Sequence, residues 1–191
     1  MKPIVLASTS RWRLQILNDA GIVADATDPN VDESTVMGDG PVETARLRAI
    51  AKASAVSRER PNALVIGADQ VIYLDGETIG KPRDAHDWRH RLVAMRGRDH
   101  KLTTAVAIIE DGEIEAFEVT TVVRFRSDLT DGEIDRYIQH GEAAGCAGGY
   151  MVERRGAWLI EEIRGDWLNV VGMPVLALVG RLRARGWRMP K

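Results

Sequence analysis

"HKLTTAVAIIEDGEIEAFEVTTVVRFR", residues 100–126, is the stretch on which the fold class turns. It contains two long runs rich in β-branched residues, 100–110 and 114–126, joined through Asp111-Gly112, a dipeptide that favours the two-residue turn of a hairpin. The pattern predicts a long antiparallel pair of strands. On either side, strand-like and helix-like patterns alternate. The sum is a mixed α/β fold with long antiparallel strands rather than a doubly wound parallel sheet.

Towards the N-terminus, "PIVLA" reads as a first strand, Ser8 to Ser10 can cap a helix start, and Leu14, Leu17 and Ala20 space a helix that Gly21 ends. A second helix is expected over residues 42–57. "NALVIGA" and "VIYL" read as two short strands, with Asp75-Gly76 as a turn between "VIYL" and "TIG". Ala85, Trp88, Leu92 and Met95 recur at helical steps, which predicts an amphipathic helix over 84–96 ended by Gly97. Beyond the long pair, Thr130 and Glu133 have capping-box spacing ahead of Ile134, Tyr137 and Ile138. "GEAAGCAGGY" is a glycine-rich loop. Strands are expected near "YMVE" and "AWLIEEI", a turn at Gly165-Asp166, and a last helix over 175–185.

The 191 residues suit one domain, 1–191, with a substantial core. Hydrophobic residues make up 45% and charged ones 28%, and no apolar stretch approaches the roughly 18 residues of a membrane span. A formal charge of −2, with no long block of one sign, gives no electrostatic footprint for nucleic acid. "MKPIVLASTS" turns polar after four apolar residues, too few for a secretory signal core, so a cytoplasmic location is expected. The single cysteine, Cys146, excludes an internal disulfide and a multi-thiolate zinc site, and reads as a small packed residue. His86 and His90 are four apart but lack the glutamate of a zincin motif, so they read as a solvated helix face. The glycine-rich loop lacks the Gly-Lys-Ser/Thr ending of a phosphate loop, and Tyr150, which closes it, reads as core.

Four places can carry chemistry. In "LASTSRWR", residues 6–13, a strand delivers hydroxyls and arginines to a helix start, where free N–H groups and the helix dipole favour an anion. Ser8, Ser10 and Arg13 are candidate phosphate ligands; an N-cap with surface arginines fits the same residues. In "GADQ", Asp69 and Gln70 lie between apolar runs where aspartate is disfavoured, so the carboxylate is expected at the edge of a core facing a cleft, a turn cap being the alternative. Lys81, beside Pro82, can neutralise a phosphate or stand in solvent. Asp32 and Glu33 in "NVDES" can hold Mg²⁺ together with substrate phosphates, or be solvated. Lys52, on a helix, reads by itself as a surface residue.

Taken in order, "LASTSRWR", "VDES", "GADQ", "GKP", "RGRDHKLTTAV", "AGGY" and "GDWLNVVGMP" resemble the Maf family of nucleoside triphosphate pyrophosphatases across nearly the whole chain. The resemblance implies a two-lobed α/β architecture similar to the inosine triphosphatase fold, with a mixed, largely antiparallel long-stranded sheet flanked by helices and a central cleft. It implies hydrolysis of a nucleotide between its α- and β-phosphates with a divalent metal, Mg²⁺ or Mn²⁺, and it allows a homodimer. A small-molecule nucleotide is then the partner, not nucleic acid or membrane. Carried over, the phosphate-binding residues are Ser8, Ser10, Arg13 and Lys52, the catalytic ones Asp69, Lys81 and Glu33, and the metal carboxylates Glu33 and Asp69. Asp69 is the expected general base, with metal binding as its competing role. The family reads Ser-Pro where this chain has Ser10-Arg11, which bears on the rigidity of the first loop.

Three further positions bear on the base. The branch of the family that resembles dTTP/UTP pyrophosphatases carries arginine, threonine and glutamine there, whereas this chain has Trp12, Gln70 and Glu153, similar to the branch acting on 7-methyl-GTP. The switch makes physical sense. Methylation at N7 leaves the purine cationic, and an indole face attracts a cation by about 0.5 to 2 kcal/mol. A carboxylate at Glu153 can accept hydrogen bonds from the N1–H and N2–H₂ of guanine. Trp12 packed under the first helix, Glu153 in a surface ion pair with Arg154 and Arg155, dTTP or UTP as substrate, and a nucleotide-binding regulator of cell division or septum formation are the competing expectations.

Overall fold

The computed structural model describes residues 2–189. The sequence around the long pair folds as expected. β5 (Asp99–Glu110) and β6 (Glu113–Phe125) are neighbours in the sheet, and Asp111 (φ 52°) and Gly112 (φ 82°) supply the two left-handed residues of the tight turn between them. The other elements, in chain order, are β1 (Ile4–Ala7), α1 (Arg11–Asp19), β2 (Ala24–Thr27), α2 (Pro41–Glu59), β3 (Leu64–Leu74), β4 (Glu77–Thr78), α3 (Ala85–Met95), α4 (Asp131–Gln139), β7 (Ile160–Arg164), α5 (Trp167–Val171) and α6 (Val175–Ala184). The strands form one mixed sheet in the order β2-β1-β3-β5-β6-β7, with β4 paired to β3. Among the described residues, no helix is long and apolar enough to cross a membrane.

By contacts the chain divides into two units. The first comprises the chain up to Gln70, Thr103–Val119 and the chain from Gly172 onward. In it β1 runs parallel to both β2 and β3, with Ala7 opposite Thr27 on one side and Gly67 on the other. This parallel trio is absent from the sequence expectation. β2 is four residues long, polar and half-exposed, so neither periodicity nor hydrophobicity marks it; its register on β1 makes it a strand. α2 packs Ala45, Ala49, Ala53 and Val56 into the core. Its backbone comes so close to β3 that a Cβ on Gly67 would lie 2.3 Å from the Ala49 carbonyl oxygen and 2.8 Å from the Ala53 nitrogen.

The second unit comprises Val71–Leu102 and Thr120–Val171. Trp88, Leu92, Met95, Phe125, Ile134 and Tyr137 are among the buried side chains of its core. Thr130 and Glu133 form the expected reciprocal capping box at α4. Tyr150 is buried, its hydroxyl 2.7 Å from His100 Nε2.

Three expectations need correction. "NALVIGA" and "VIYL" are one continuous strand, β3, because the polar pair between them is accommodated by partners: Asp69 meets Lys52 and Gln70 donates to Thr104 Oγ1 at 3.0 Å. "YMVE" forms no strand, since the Met151 N–H donates to the Tyr137 hydroxyl at 3.0 Å instead of to a neighbouring strand. "AWLIEEI" becomes strand only at Ile160. The preceding Arg155–Leu159 is a 3₁₀ segment, packed so tightly that a Cβ on Gly156 would lie 2.4 Å from the Met151 carbonyl oxygen.

Candidate active site

β1 and β2 deliver chemistry-bearing residues just beyond their carboxyl ends, and β3 carries one within the strand, past the end of its pairing with β1. Ser8 follows β1, Glu33 lies in the loop after β2, and Asp69 lies two residues past Gly67, the last residue of β3 to register with β1. β1 lies between β2 and β3, and the carboxyl end of such a parallel trio is where α/β sheets gather ligands.

The first loop is locally determined. Ser10 is the N-cap of α1, its Oγ accepting from the Arg13 N–H at 3.4 Å, and Ser8 Oγ accepts from the Ser10 N–H at 3.1 Å. Capping occupies acceptor capacity only, so each hydroxyl keeps its proton for donation to a phosphate oxygen. Ser8 is buried and Ser10 half-buried.

Of the two adjacent acids, Asp32 caps a 3₁₀ turn, Glu33–Thr35, by accepting from the Ser34 N–H at 3.0 Å and the Ser34 hydroxyl at 2.6 Å. Glu33 reaches Lys52, with Oε1 2.8 Å from Nζ. Lys52 Nζ also lies 2.8 Å from Asp69 Oδ1. The helical lysine is therefore not a surface residue: it is 5% exposed, and its ammonium joins two carboxylates. Partial burial by itself would push the Glu33 carboxyl up, but the hydrogen bond and charge of Lys52, with Arg48 and Arg13 behind it, hold it below the usual carboxylate value.

Arg48 is a site neighbour that sequence reasoning missed. Its Nε donates to the Val36 carbonyl at 3.1 Å, bracing the loop that carries Glu33. A four-residue step from Arg48 to Lys52 was the available signal, because it places both on one helix face. Thr104, which receives Gln70, was also missed; a threonine inside an apolar strand gives no such signal.

Trp12 is 36% exposed on the first turn of α1, and the Arg11 guanidinium carbon lies 5.9 Å from its ring centroid. Gln70 belongs to the same unit, whereas Lys81 and Glu153 belong to the second. Both of the latter are exposed and both act on Cys146: burial pushes that thiol up, Glu153 adds to the rise and Lys81 opposes it. The "GKP" segment is tied to the glycine-rich loop by the Gly148 N–H donating to the Gly80 carbonyl at 3.2 Å. Trp88 Nε1 secures that loop with a 2.6 Å bond to the Gly149 carbonyl. His86 and His90 are exposed, as expected.

Among the described residues no group of three or more His, Cys, Asp or Glu side chains converges. Glu33 and Asp69, which converge on Lys52, are the carboxylates that could hold Mg²⁺ together with substrate phosphates.

Residues 3–185 match the family model described as "Maf-like protein". The chain is 40% identical to a dTTP/UTP pyrophosphatase of Symbiobacterium thermophilum, over 98% of this chain and 96% of that one. It is 38% identical to a dTTP/UTP pyrophosphatase of Dictyoglomus thermophilum, over 98% of each. It is 39% identical over the full length of both chains to a 7-methyl-GTP pyrophosphatase of Xanthomonas oryzae pv. oryzae. Among solved structures it is similar to the Staphylococcus aureus Ham1 protein, with 20% identity and a TM-score of 0.47 over 66% of this chain and 73% of that one, too slight a likeness to add to the fold.

Proposed function

The chain belongs to the Maf family, and we propose that, as a nucleoside triphosphate pyrophosphatase, it acts on 7-methyl-GTP, clearing a modified nucleotide. The observation that carries this reading is Trp12: an exposed indole two residues beyond Ser10, with the Arg11 guanidinium carbon 5.9 Å from its ring centroid. A face that accepts Arg11 suits a cationic purine. Glu153, in the second unit, is the acceptor for the guanine N1–H and N2–H₂ that the family resemblance implies.

In the proposed reaction, water attacks the α-phosphorus, the bond to the α–β bridging oxygen breaks, and pyrophosphate leaves with the electron pair. Asp69 takes the proton of the attacking water. Ser8 and Ser10 donate to phosphate oxygens. Lys52 has three N–H donors, two of them directed at Glu33 and Asp69, and the third is available for phosphate. Lys81 offsets charge on the leaving phosphates. A divalent cation, Mg²⁺ or Mn²⁺, would be held by Glu33, with Asp69 as a second ligand where it binds metal in place of acting as the base, and would neutralise phosphate charge.

A second reading keeps this chemistry with dTTP or UTP, because relatives carrying that name stand at 38% and 40% identity, on either side of the 39% of the one named for 7-methyl-GTP. Pyrophosphate release from 7-methyl-GTP, GTP, dTTP, UTP and CTP, compared in parallel with Mg²⁺ or Mn²⁺, tests both. We expect 7-methyl-GTP to be preferred over GTP, and Asp69→Asn to abolish release. Preference for dTTP or UTP would leave the pyrophosphatase and remove Trp12 as a reader of the methylated base.

A further inference from the structure

Arg13 enters the sequence reading as a phosphate cation, yet its guanidinium is directed at backbone. Nη1 donates to the Ala68 carbonyl at 2.8 Å and Nε to the Gly172 carbonyl at 3.2 Å. These bonds join three of the chain's motifs, "LASTSRWR", "GADQ" and "GDWLNVVGMP", across separations of 55 and 159 residues. Ala68 immediately precedes Asp69 and is the first residue of β3 beyond its register with β1, so Arg13 holds the strand where its neighbour has run out. Gly172 has φ +134°, in the range a side chain disfavours, and thereby presents its carbonyl to Arg13. Arg13 is half-buried. Burial pulls its pKa down, and the charges of Asp69 and Glu33 oppose that pull, so the guanidinium lies within the field of both carboxylates.

We infer that Arg13 is a positioning residue that fixes Asp69 through the Ala68 and Gly172 carbonyls, and that Gly172 belongs to the site as an acceptor of this clamp. The inference rests on the reading of Asp69 as the group acting at the α-phosphate. A planar fork can bond two carbonyls on different segments at once; an ammonium carries the same charge without that geometry. Misplacing a reacting group by a fraction of an ångström lowers turnover, whereas losing a phosphate ligand weakens binding.

The experiment is steady-state pyrophosphate release by Arg13→Lys and Gly172→Ala, with inhibition by added pyrophosphate as a measure of phosphate binding. For Arg13→Lys we expect kcat to fall about 10-fold or more while KM and the inhibition constant stay within about 2-fold. Gly172→Ala, which alters no charge, should show the same split, and the double variant should be no slower than the slower single one. A KM and inhibition constant raised about 10-fold with kcat kept would make Arg13 a phosphate ligand and overturn the inference. Unchanged kinetics, or fully additive losses, would overturn it as well. If Arg13→Lys does not fold, the kcat-against-KM split of Gly172→Ala decides. Should Asp69→Asn keep full turnover, the reading of Asp69 and the clamp fall together. An inactive Asp69→Asn beside an intact kcat in Arg13→Lys removes the clamp alone.

Discussion

Lys52 Nζ lies 2.8 Å from Asp69 Oδ1, with Lys52 5% and Asp69 7% exposed. A pair this deeply placed has lost most of its hydration, so its stability depends on each charge keeping the other. Lys52→Met is therefore expected to destabilise the protein by about 3 kcal/mol or more, by leaving a buried carboxylate unpartnered. Adding Asp69→Asn should restore much of that loss while leaving the enzyme inactive. Urea unfolding midpoints of the unaltered protein and the two variants check this; a double variant less stable than Lys52→Met would contradict it.

Gly67 sets how closely α2 can approach β3. A methyl group there meets the Ala49 carbonyl, the Ala53 nitrogen and the Ala53 Cβ at 2.3, 2.8 and 2.9 Å, two of them backbone atoms that cannot swing aside. Gly67→Ala should cost about 3 kcal/mol, at the upper end for overpacking. Because Lys52 sits on the same turns of α2, activity should fall further than the loss of folded protein explains, as kcat per folded molecule would show.

His100 is 1% exposed, its Nε2 bonded to the Tyr150 hydroxyl and its Nδ1 without a hydrogen-bond partner among the described residues. Burial pushes its pKa down to about 4, against a small opposing pull from Asp99. The folded protein thus keeps this imidazole neutral, while the unfolded chain takes up a proton below about pH 6.5. The resulting stability is complete above the unfolded value and is lost as pH falls towards the folded one, a change of about 3 kcal/mol between pH 6.5 and 4. In His100→Phe the unfolding free energy should vary less with pH across that window, whatever its effect at pH 7. An unchanged slope in denaturant titrations at several pH values would refute this.

Trp12→Arg with Gln70→Thr replaces two of the three positions proposed to read the base with the residues of the alternative branch. The ratio of kcat/KM for 7-methyl-GTP over GTP should drop by about 2- to 30-fold, the range expected for a lost cation–π contact. An equal loss on both nucleotides would mean that Trp12 supports the loop and does not touch the base.

The local features were legible in the chain itself. The Asp111-Gly112 turn, the Thr130/Glu133 capping box and the periodicity of α3 each rest on residues within four positions of one another, so the sequence pattern carries their physics directly. Asp69 was also legible, as an acid where a strand disfavours one, and the ordered motifs pointed to the family.

What only the tertiary structure decided is which partners those residues meet. Sequence alone could not say that Asp32 caps its own 3₁₀ turn while Glu33 goes to Lys52, nor that Lys52 is buried. It could not reveal β2, whose strand character comes from its register on β1, nor that Arg13 reaches carbonyls 55 and 159 residues away. Caps and turns are set by the chain's own short-range geometry. Ion pairs and clamps between distant segments exist only once the sheet has set its strands side by side and α2 has closed onto Gly67.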